Sequence, residues 1–369
     1  MLRDRFHLPG EHYFLSHSIG AQPVAYDAFF ERSFSSPWRD AASETWNFWL
    51  EAIDGFCGGL AVLIGADAAD ICPQTNISIA LSKILTGLPP REGRDKIVLA
   101  EDDFPTVGFA LGQGARLGYK LEFLPGGPRL ADPDAWSRAF EEDVALVLAT
   151  HVYSNSAVMA PVAQIAQRAR EQGVISVLDL AQSAGAVPVR LNDWRPDFAV
   201  GTSVKYLCGG PGAAWLWASP DTAHLMNPLE VGWFSHENPF EFDIRNFRYA
   251  EGAARFWGGT PSVAPYAGAR AGQAIIAAAG VEKIHAHNQH LLSRLFGALP
   301  QGAIASATKE GARGSSALIR VKDAQAAERK LNADGIGCDI RKGCLRVSVH
   351  LYTEEADIDA LIAAVEPYL

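Results

Sequence analysis

The chain reads as an α/β protein, with a mostly parallel sheet covered on both faces by helices and a smaller α+β lobe after it. Three observations lead there. Short apolar runs of strand length alternate with helical stretches through the middle of the chain. Those runs are continuous rather than alternating, as expected of strands buried on both faces. After about residue 262 the texture changes to a long Ala-rich helical region followed by shorter mixed pieces.

The elements follow in order. Residues 97–100, 144–150, 174–179, 198–202 and 213–218 read as buried strands. Residues 161–172 read as a helix between two of them, with Pro161 suited to a first turn and Gly173 to the position just past the end. Residues 262–279 and 281–299 form the long helical region, 316–321 a strand, 324–332 a helix and 344–350 an alternating strand. A last helix starts at Thr353, with Glu354, Glu355 and Asp357 in its first turn. The expected division is a large domain over residues 21–261 and a small one over 262–369, with residues 1–20 packed against the small domain or bordering the site.

Composition narrows the function classes. With 369 residues, 48% hydrophobic and 20% charged, the chain is an ordinary globular one. A formal net charge of −10 argues against sequence-independent nucleic-acid binding, which needs clustered cations. No apolar run of ~18 residues appears, and Met1 to Arg5 lead into no apolar segment, so neither a membrane span nor a signal peptide is expected. Cys57, Cys72, Cys208, Cys338 and Cys344 are scattered and form no CxxC pair, which fits reduced thiols in the cytoplasm and no metal site. The ten histidines show no ligand spacing.

Two adjacent phrases concentrate the chemistry. One is Asp179-Leu180-Ala181-Gln182-Ser183-Ala184-Gly185; the other runs from Phe198 through Thr202-Ser203-Val204-Lys205 to Gly209-Gly210-Pro211-Gly212. Polar residues just past parallel strands sit where such sheets collect ligands. A carboxylate in a dry site needs a cationic partner. A desolvated lysine near other cations has a lowered pKa, which suits covalent attack on a carbonyl. Asn76-Ile77-Ser78 opens a further helical pattern, a setting that suits a phosphate group. Singly, Asp179 and Lys205 also read as a strand-end cap and a surface lysine.

Together with Asp102-Asp103-Phe104-Pro105-Thr106, Val231-Gly232-Trp233-Phe234-Ser235-His236 and Gly258-Gly259-Thr260-Pro261, these phrases resemble the class V aminotransferases among the fold-type I pyridoxal-phosphate (PLP) enzymes. Within that family the kynureninases are the most similar. The resemblance runs from about residue 13 to 354. It implies the fold-type I transferase fold, a large domain on a mainly parallel seven-stranded sheet plus a smaller α+β C-terminal domain. It implies PLP as cofactor, with Lys205 at the aldimine lysine and Asp179 at the aspartate that pairs with the pyridine nitrogen. By the same resemblance Gln182 contacts the phenolic oxygen and Phe104 stacks on the ring, with Thr106 in the same turn. Asn76, Ile77 and Ser78 match the phosphate loop, and Thr202 and Ser203 lie on the phosphate side. Trp233 resembles a cofactor-pocket tryptophan, and Thr260 a residue reaching the phosphate from a partner subunit, which implies a homodimer with shared sites. Arg346 matches the arginine that fixes a substrate α-carboxylate. Phe104 and Trp233 also fit ordinary core, and Arg346 an ion pair between lobes.

Three departures bear on the reaction. Val204 stands where kynureninases carry a tyrosine, Val107 where they carry an aspartate, and Gln182 where they carry a histidine. Residues 335–346 resemble the corresponding region of the cysteine desulfurases without its cysteine-bearing loop, and Cys338 and Cys344 lie in expected strands, so desulfurase chemistry is not expected. The expected function is kynureninase-like cleavage of a small amino-acid substrate, with class V transamination or β-lyase chemistry second and a silent PLP-binding protein third. Phe34, Trp38, Trp46, Phe48 and Trp49 read as core or dimer contact, or as the wall of an aromatic-substrate pocket. No nucleic-acid or membrane partner is expected.

Overall fold

The structure is a computed structural model that describes residues 2–42 and 44–369. The large domain opens with helix α1 (Thr45–Ile64) and continues through β1 (Ile71–Gln74), α2 (Ile77–Gly87), β2 (Lys96–Ala100), α3 (Pro105–Gly112), β3 (Lys120–Leu124) and β4 (Val144–Thr150). Next come α4 (Val162–Gln172), β5 (Ile175–Asp179), β6 (Phe198–Thr202) and β7 (Ala214–Ala218). The strands form one seven-stranded sheet in the spatial order β1-β7-β6-β5-β4-β2-β3. Only β7 runs against its neighbours. Residues 203–213 join β6 to β7 without a helix, too short a path for a parallel crossover.

β1 and β3, which the apolar-run pattern does not mark, are the two sheet edges. Pro73 sits in β1, where an edge strand tolerates a missing N–H, and β3 is partly exposed along its length. β4 to β7 are almost wholly buried, hence their continuous apolar runs. Pro161 proves to be the cap of α4 rather than its first residue, and Gly173 ends it in the left-handed region at φ 65.

α1 has the length and mean hydropathy, 1.3, of a membrane span, although its sequence includes Glu51 and Asp54. Its apolar face is spent inside the protein, where Ile53, Phe56, Leu60 and Ile64 are buried. Phe56 meets the ring of Tyr266 on α5 (Ala264–Ala279), with centroids 4.8 Å apart. α5, expected with the small domain, thus packs into the core of the large one. The second core gathers further on, from Leu291, Leu292 and Leu295 of α6 (Val281–Ala298).

Around it lie β8 (Ser316–Ile319), α7 (Ala324–Ala333), β9 (Asp339–Arg341), β10 (Cys344–Ser348) and α8 (Glu355–Val365), with the strands in the antiparallel order β8-β10-β9. The N-terminal segment reaches this lobe. His12–Tyr13 pairs in parallel with Ile336–Gly337, and Phe14 is buried in the second core.

Candidate active site

The carboxyl ends of β5 and β6, the start of α2 and the turn before α3 surround a cavity of ≈ 400 Å³. It is lined by Asn76, Ile77, Ser78, Phe104, Thr106, Asp179, Thr202 and Lys205 from the expected set, together with Val107 and Val204. Asn76 caps α2, its Oδ1 accepting from the Ile79 N–H at 3.0 Å. The free amides of that first turn and the Ser78 hydroxyl therefore meet at the cavity edge.

Asp179 is the last residue of β5 and is buried; one of its oxygens accepts from the Ala181 N–H at 2.8 Å. Burial raises its pKa, against the Ala181 hydrogen bond and the charge of Lys205. Lys205 lies three residues past β6, with Nζ 5.7 Å from the centroid of the Phe104 ring. Burial pushes its amine down, Asp179 opposes this, and Arg346 and Arg341 add to it. Among the described residues neither Asp179 nor Lys205 makes an ion pair.

A second carboxylate lies close by. Asp103 accepts from Thr150 Oγ1 at 2.6 Å and from the Ala100 N–H at 2.8 Å, and burial pushes it up to about 7. The buried Tyr153 hydroxyl, which feels the charges of Asp103 and Asp179, has no partner. Two carboxylates in a dry region call for a bound cation. A protonated pyridine ring bearing an aldehyde and a phosphate meets these demands, with Asp179 for the ring nitrogen, Lys205 for the aldehyde and the α2 terminus for the phosphate.

The lysine loop is held from behind by the N-terminal segment. The Gly20 N–H donates to the Val204 carbonyl at 2.8 Å. A Cβ at Gly20 would stand 2.0 Å from the Lys205 carbonyl oxygen, so only glycine allows this crossing.

Five expected residues are not brought to the cavity. Gln182 donates from Nε2 to the His17 carbonyl at 3.0 Å. Ser203, between the cavity-lining Thr202 and Val204, has a buried hydroxyl without a partner. Trp233 packs against Trp46 and Phe234 beside a separate cavity of ≈ 360 Å³. Thr260 is exposed on a cavity of ≈ 150 Å³ with Lys83 and Glu230. Arg346 is buried and holds Asp339, its Nε 2.9 Å from Oδ1 and its Nη2 on Oδ2. Of the N-terminal aromatic residues, Phe34 stacks on Trp49 at 5.3 Å and Trp38 is exposed.

Three residues of this region carry no mark in the motifs. His17 is buried with Nδ1 2.9 Å from Ser348 Oγ and Nε2 3.0 Å from Asp339 Oδ1. Burial pushes its pKa down to about 4, while Arg346 and His17 draw the Asp339 carboxyl well below its usual range. Arg341 lies on the same hairpin. Strand alternation around Arg346 was the available signal for Asp339 and Arg341; His17 had none. Among the described residues no cluster of three or more His, Cys, Asp or Glu side chains is placed to hold a metal.

Known proteins resemble this chain at three levels. The family model for class V aminotransferases matches residues 25–361. The kynureninase of Pseudomonas fluorescens is 32% identical over 275 residues, covering 71% of this chain and 64% of that protein. The match thus spans slightly less than two thirds of the curated relative. Among solved structures, a variant of the cystine C–S lyase C-DES with glycine covalently linked to its PLP cofactor superposes with a TM-score of 0.90, at 21% identity over 100% of this chain and 99% of that one. An apo cysteine desulfurase from Thermococcus onnurineus NA1 superposes with a TM-score of 0.85, at 20% identity over 96% and 94%.

Proposed function

From a chain that belongs to the class V aminotransferase family, we propose a PLP-dependent enzyme that cleaves a small amino-acid substrate in the manner of a kynureninase, by hydrolysis between Cβ and Cγ. The observation that carries the reading is the unpaired Lys205 and Asp179 facing one cavity under Phe104. When bound, PLP accepts the electron pair released at the substrate α-carbon.

The chain's own residues do the rest. Lys205 would hold the cofactor and would take the proton from the substrate Cα at Nζ; its lowered pKa suits that role. Asp179, a buried carboxylate, would hold a proton on the ring nitrogen. Asn76, Ser78 and the first amides of α2 bind the phosphate, and Thr106 and Thr202 lie at the same cavity. Phe104, whose ring centroid stands 5.7 Å from Lys205 Nζ, would cover a cofactor ring held there. Arg346 takes part in seating the substrate carboxylate.

A second reading is transamination or β-lyase chemistry. Val107 and Val204 line the cavity, so neither position offers the carboxylate or hydroxyl that kynureninases place there. Trp233 and Thr260, set away from their own cavity, and the exposed Trp38, Phe242 and Ile244 support a homodimer with shared sites. Five free, buried cysteines are consistent with a cytoplasmic setting.

The test is to mix the PLP-loaded protein with a panel of amino acids that includes kynurenine and to identify the products by mass spectrometry. Anthranilate released over many turnovers supports the first reading; pyridoxamine phosphate alone moves the enzyme to the second. A protein without a visible cofactor band, before and after added PLP, overturns both. Sedimentation as a monomer overturns the shared-site dimer.

A further inference from the structure

The turn that carries Phe104 is tied down on several sides. It leaves β2 at Ala100 and enters α3 at Pro105, so only residues 101–104 lie between strand and helix. Three of those four are acidic, and each is spent on a different neighbour. Glu101 Oε2 accepts from the Gly126 N–H at 3.2 Å. Asp102 accepts from the Gly127 N–H at 2.9 Å and from Lys342 Nζ at 2.7 Å, and its carbonyl accepts from Asn155 Nδ2 at 3.1 Å. These two fasten the turn to the loop after β3 and to the small domain's hairpin.

Asp103 has a different set of partners, the strand ends themselves. It is buried, and its two oxygens do separate work. Oδ2 accepts from the Ala100 N–H at 2.8 Å, closing the turn on its own strand, while Oδ1 accepts from Thr150 Oγ1 at 2.6 Å. The Asp103 N–H returns a bond to the Ala100 carbonyl at 3.1 Å. Thr150 ends β4 and is the register partner of Asp179 on β5. Asp103 therefore sets the turn against the same row of strand ends that places Asp179.

Phe104 follows directly, as the cap residue before Pro105. Its ring is 44% exposed, lines the cavity, and has its centroid 5.7 Å from Lys205 Nζ. A ring so exposed is not fixed by packing on every side, so where it stands depends on the backbone that carries it.

We propose that Asp103 is a positioning residue: by joining Ala100 to Thr150 it fixes the turn that sets Phe104 over the ring of a bound cofactor. The inference rests on the PLP-enzyme reading and names what holds its ring cover in place.

The first measurement needs no cofactor. Hydrogen exchange read by mass spectrometry on the cofactor-free protein should show the amides of residues 100–107 exchanging about tenfold faster in Asp103→Ala, the scale of one lost hydrogen bond. The second is PLP affinity by equilibrium dialysis for the wild type, Asp103→Ala, Phe104→Leu and the double variant. Each single change should raise the Kd about 3- to 10-fold, what a stacked aromatic pair is worth. The double variant should bind no more weakly than Phe104→Leu, because Asp103 acts through that ring. Asp103→Asn, whose amide keeps an oxygen for the Ala100 N–H and offers an N–H to the Thr150 hydroxyl, should recover most of the affinity. Additive losses in the double variant, wild-type affinity in Asp103→Ala, or no recovery in Asp103→Asn overturns the proposal. Should Asp103→Ala fail to fold, Thr150→Val, which removes one of the two bonds, completes the same cycle with Phe104→Leu. A wild-type protein that takes up no PLP defeats the cofactor reading, whereas unaltered exchange at residues 100–107 defeats the hold on the turn alone.

Discussion

At the ends of β5 and β6 the large domain buries Asp179 and half-buries Lys205 without an ion pair among the described residues, whereas the small domain's hairpin buries Arg346 already locked to Asp339 and, through it, to His17. An isolated buried charge is costly, and a paired one is costly only when a partner is removed. The first region is thus unfinished without a ligand carrying both a cation and an anion. The second is complete by itself, apart from the Arg341 Nε, which is buried without a partner among the described residues. On the proposed function, the groups that would do chemistry on a cofactor stay unpaired for it, while the arginine assigned to the substrate end is braced by the protein.

The sharpest break in that contrast is Lys205→Ala. Turnover should fall by about 10³-fold or more, the scale of a lost general base, and borohydride treatment followed by mass spectrometry should no longer find the cofactor attached to the chain. Retained attachment would mean that another lysine does the work.

Next in size is Asp339→Ala. It leaves Arg346 buried without its anion, and urea unfolding of the cofactor-free protein should show a loss of about 3 kcal/mol, the low end for a broken buried pair because Asp339 is partly exposed. An unchanged midpoint would show that the clamp is not structural.

Asp179→Asn should act in the reverse sense. With the buried charge gone and an oxygen kept for the Ala181 N–H, the cofactor-free protein should gain about 1 kcal/mol while its affinity for PLP drops about tenfold, measured by equilibrium dialysis. A cofactor-free protein made less stable by this change would put the contrast in doubt.

The last prediction concerns pH. His17 is pushed by burial to about 4, and His151 and His350 to about 3, from an ordinary 6.5. The unfolded chain takes up these protons first, so their contribution is whole above about pH 6.5 and is lost as pH falls through about 4. Asp103, raised to about 7, works the other way, its burial penalty easing as pH falls below that value. The three histidines against Asp103 and Asp179 should lower the urea midpoint between pH 7 and pH 4.5, and His17→Gln should flatten the slope. A midpoint that rises on acidification would contradict the buried, neutral histidines.

How far the sequence foretold this depends on how local each feature is. Asp179 and Lys205 follow continuous apolar strands, and the α2 start follows from Asn76, so both position and chemistry lie within a few residues. The edge strands β1 and β3 escape notice because Pro73 interrupts one and partial exposure dilutes the other. The brace on Arg346 joins His17 to Asp339, 322 positions apart, and no short pattern encodes that meeting. Arg346 itself was legible as either a substrate anchor or an ion pair between lobes. Its ion pair lies with Asp339 on the same hairpin, a possibility that strand alternation alone would have raised. Trp233 and Thr260 sit in recognisable phrases, yet Trp233 borders a segment whose Phe242 and Ile244 face outward and Thr260 is itself exposed, and phrase matching carries no information about where in the fold a residue lands.

The crossing of Gly20 over the lysine loop has a consequence for the order of assembly. Residues 12–20 touch partners near 204 and near 336, which leave the ribosome long after them. Such distant pairings close late. During synthesis the early strand therefore waits unengaged while the large sheet forms, and the loop that carries Lys205 gains its brace only once the chain has passed residue 336. An enzyme built this way does not present a finished, reactive pocket on a half-made polypeptide.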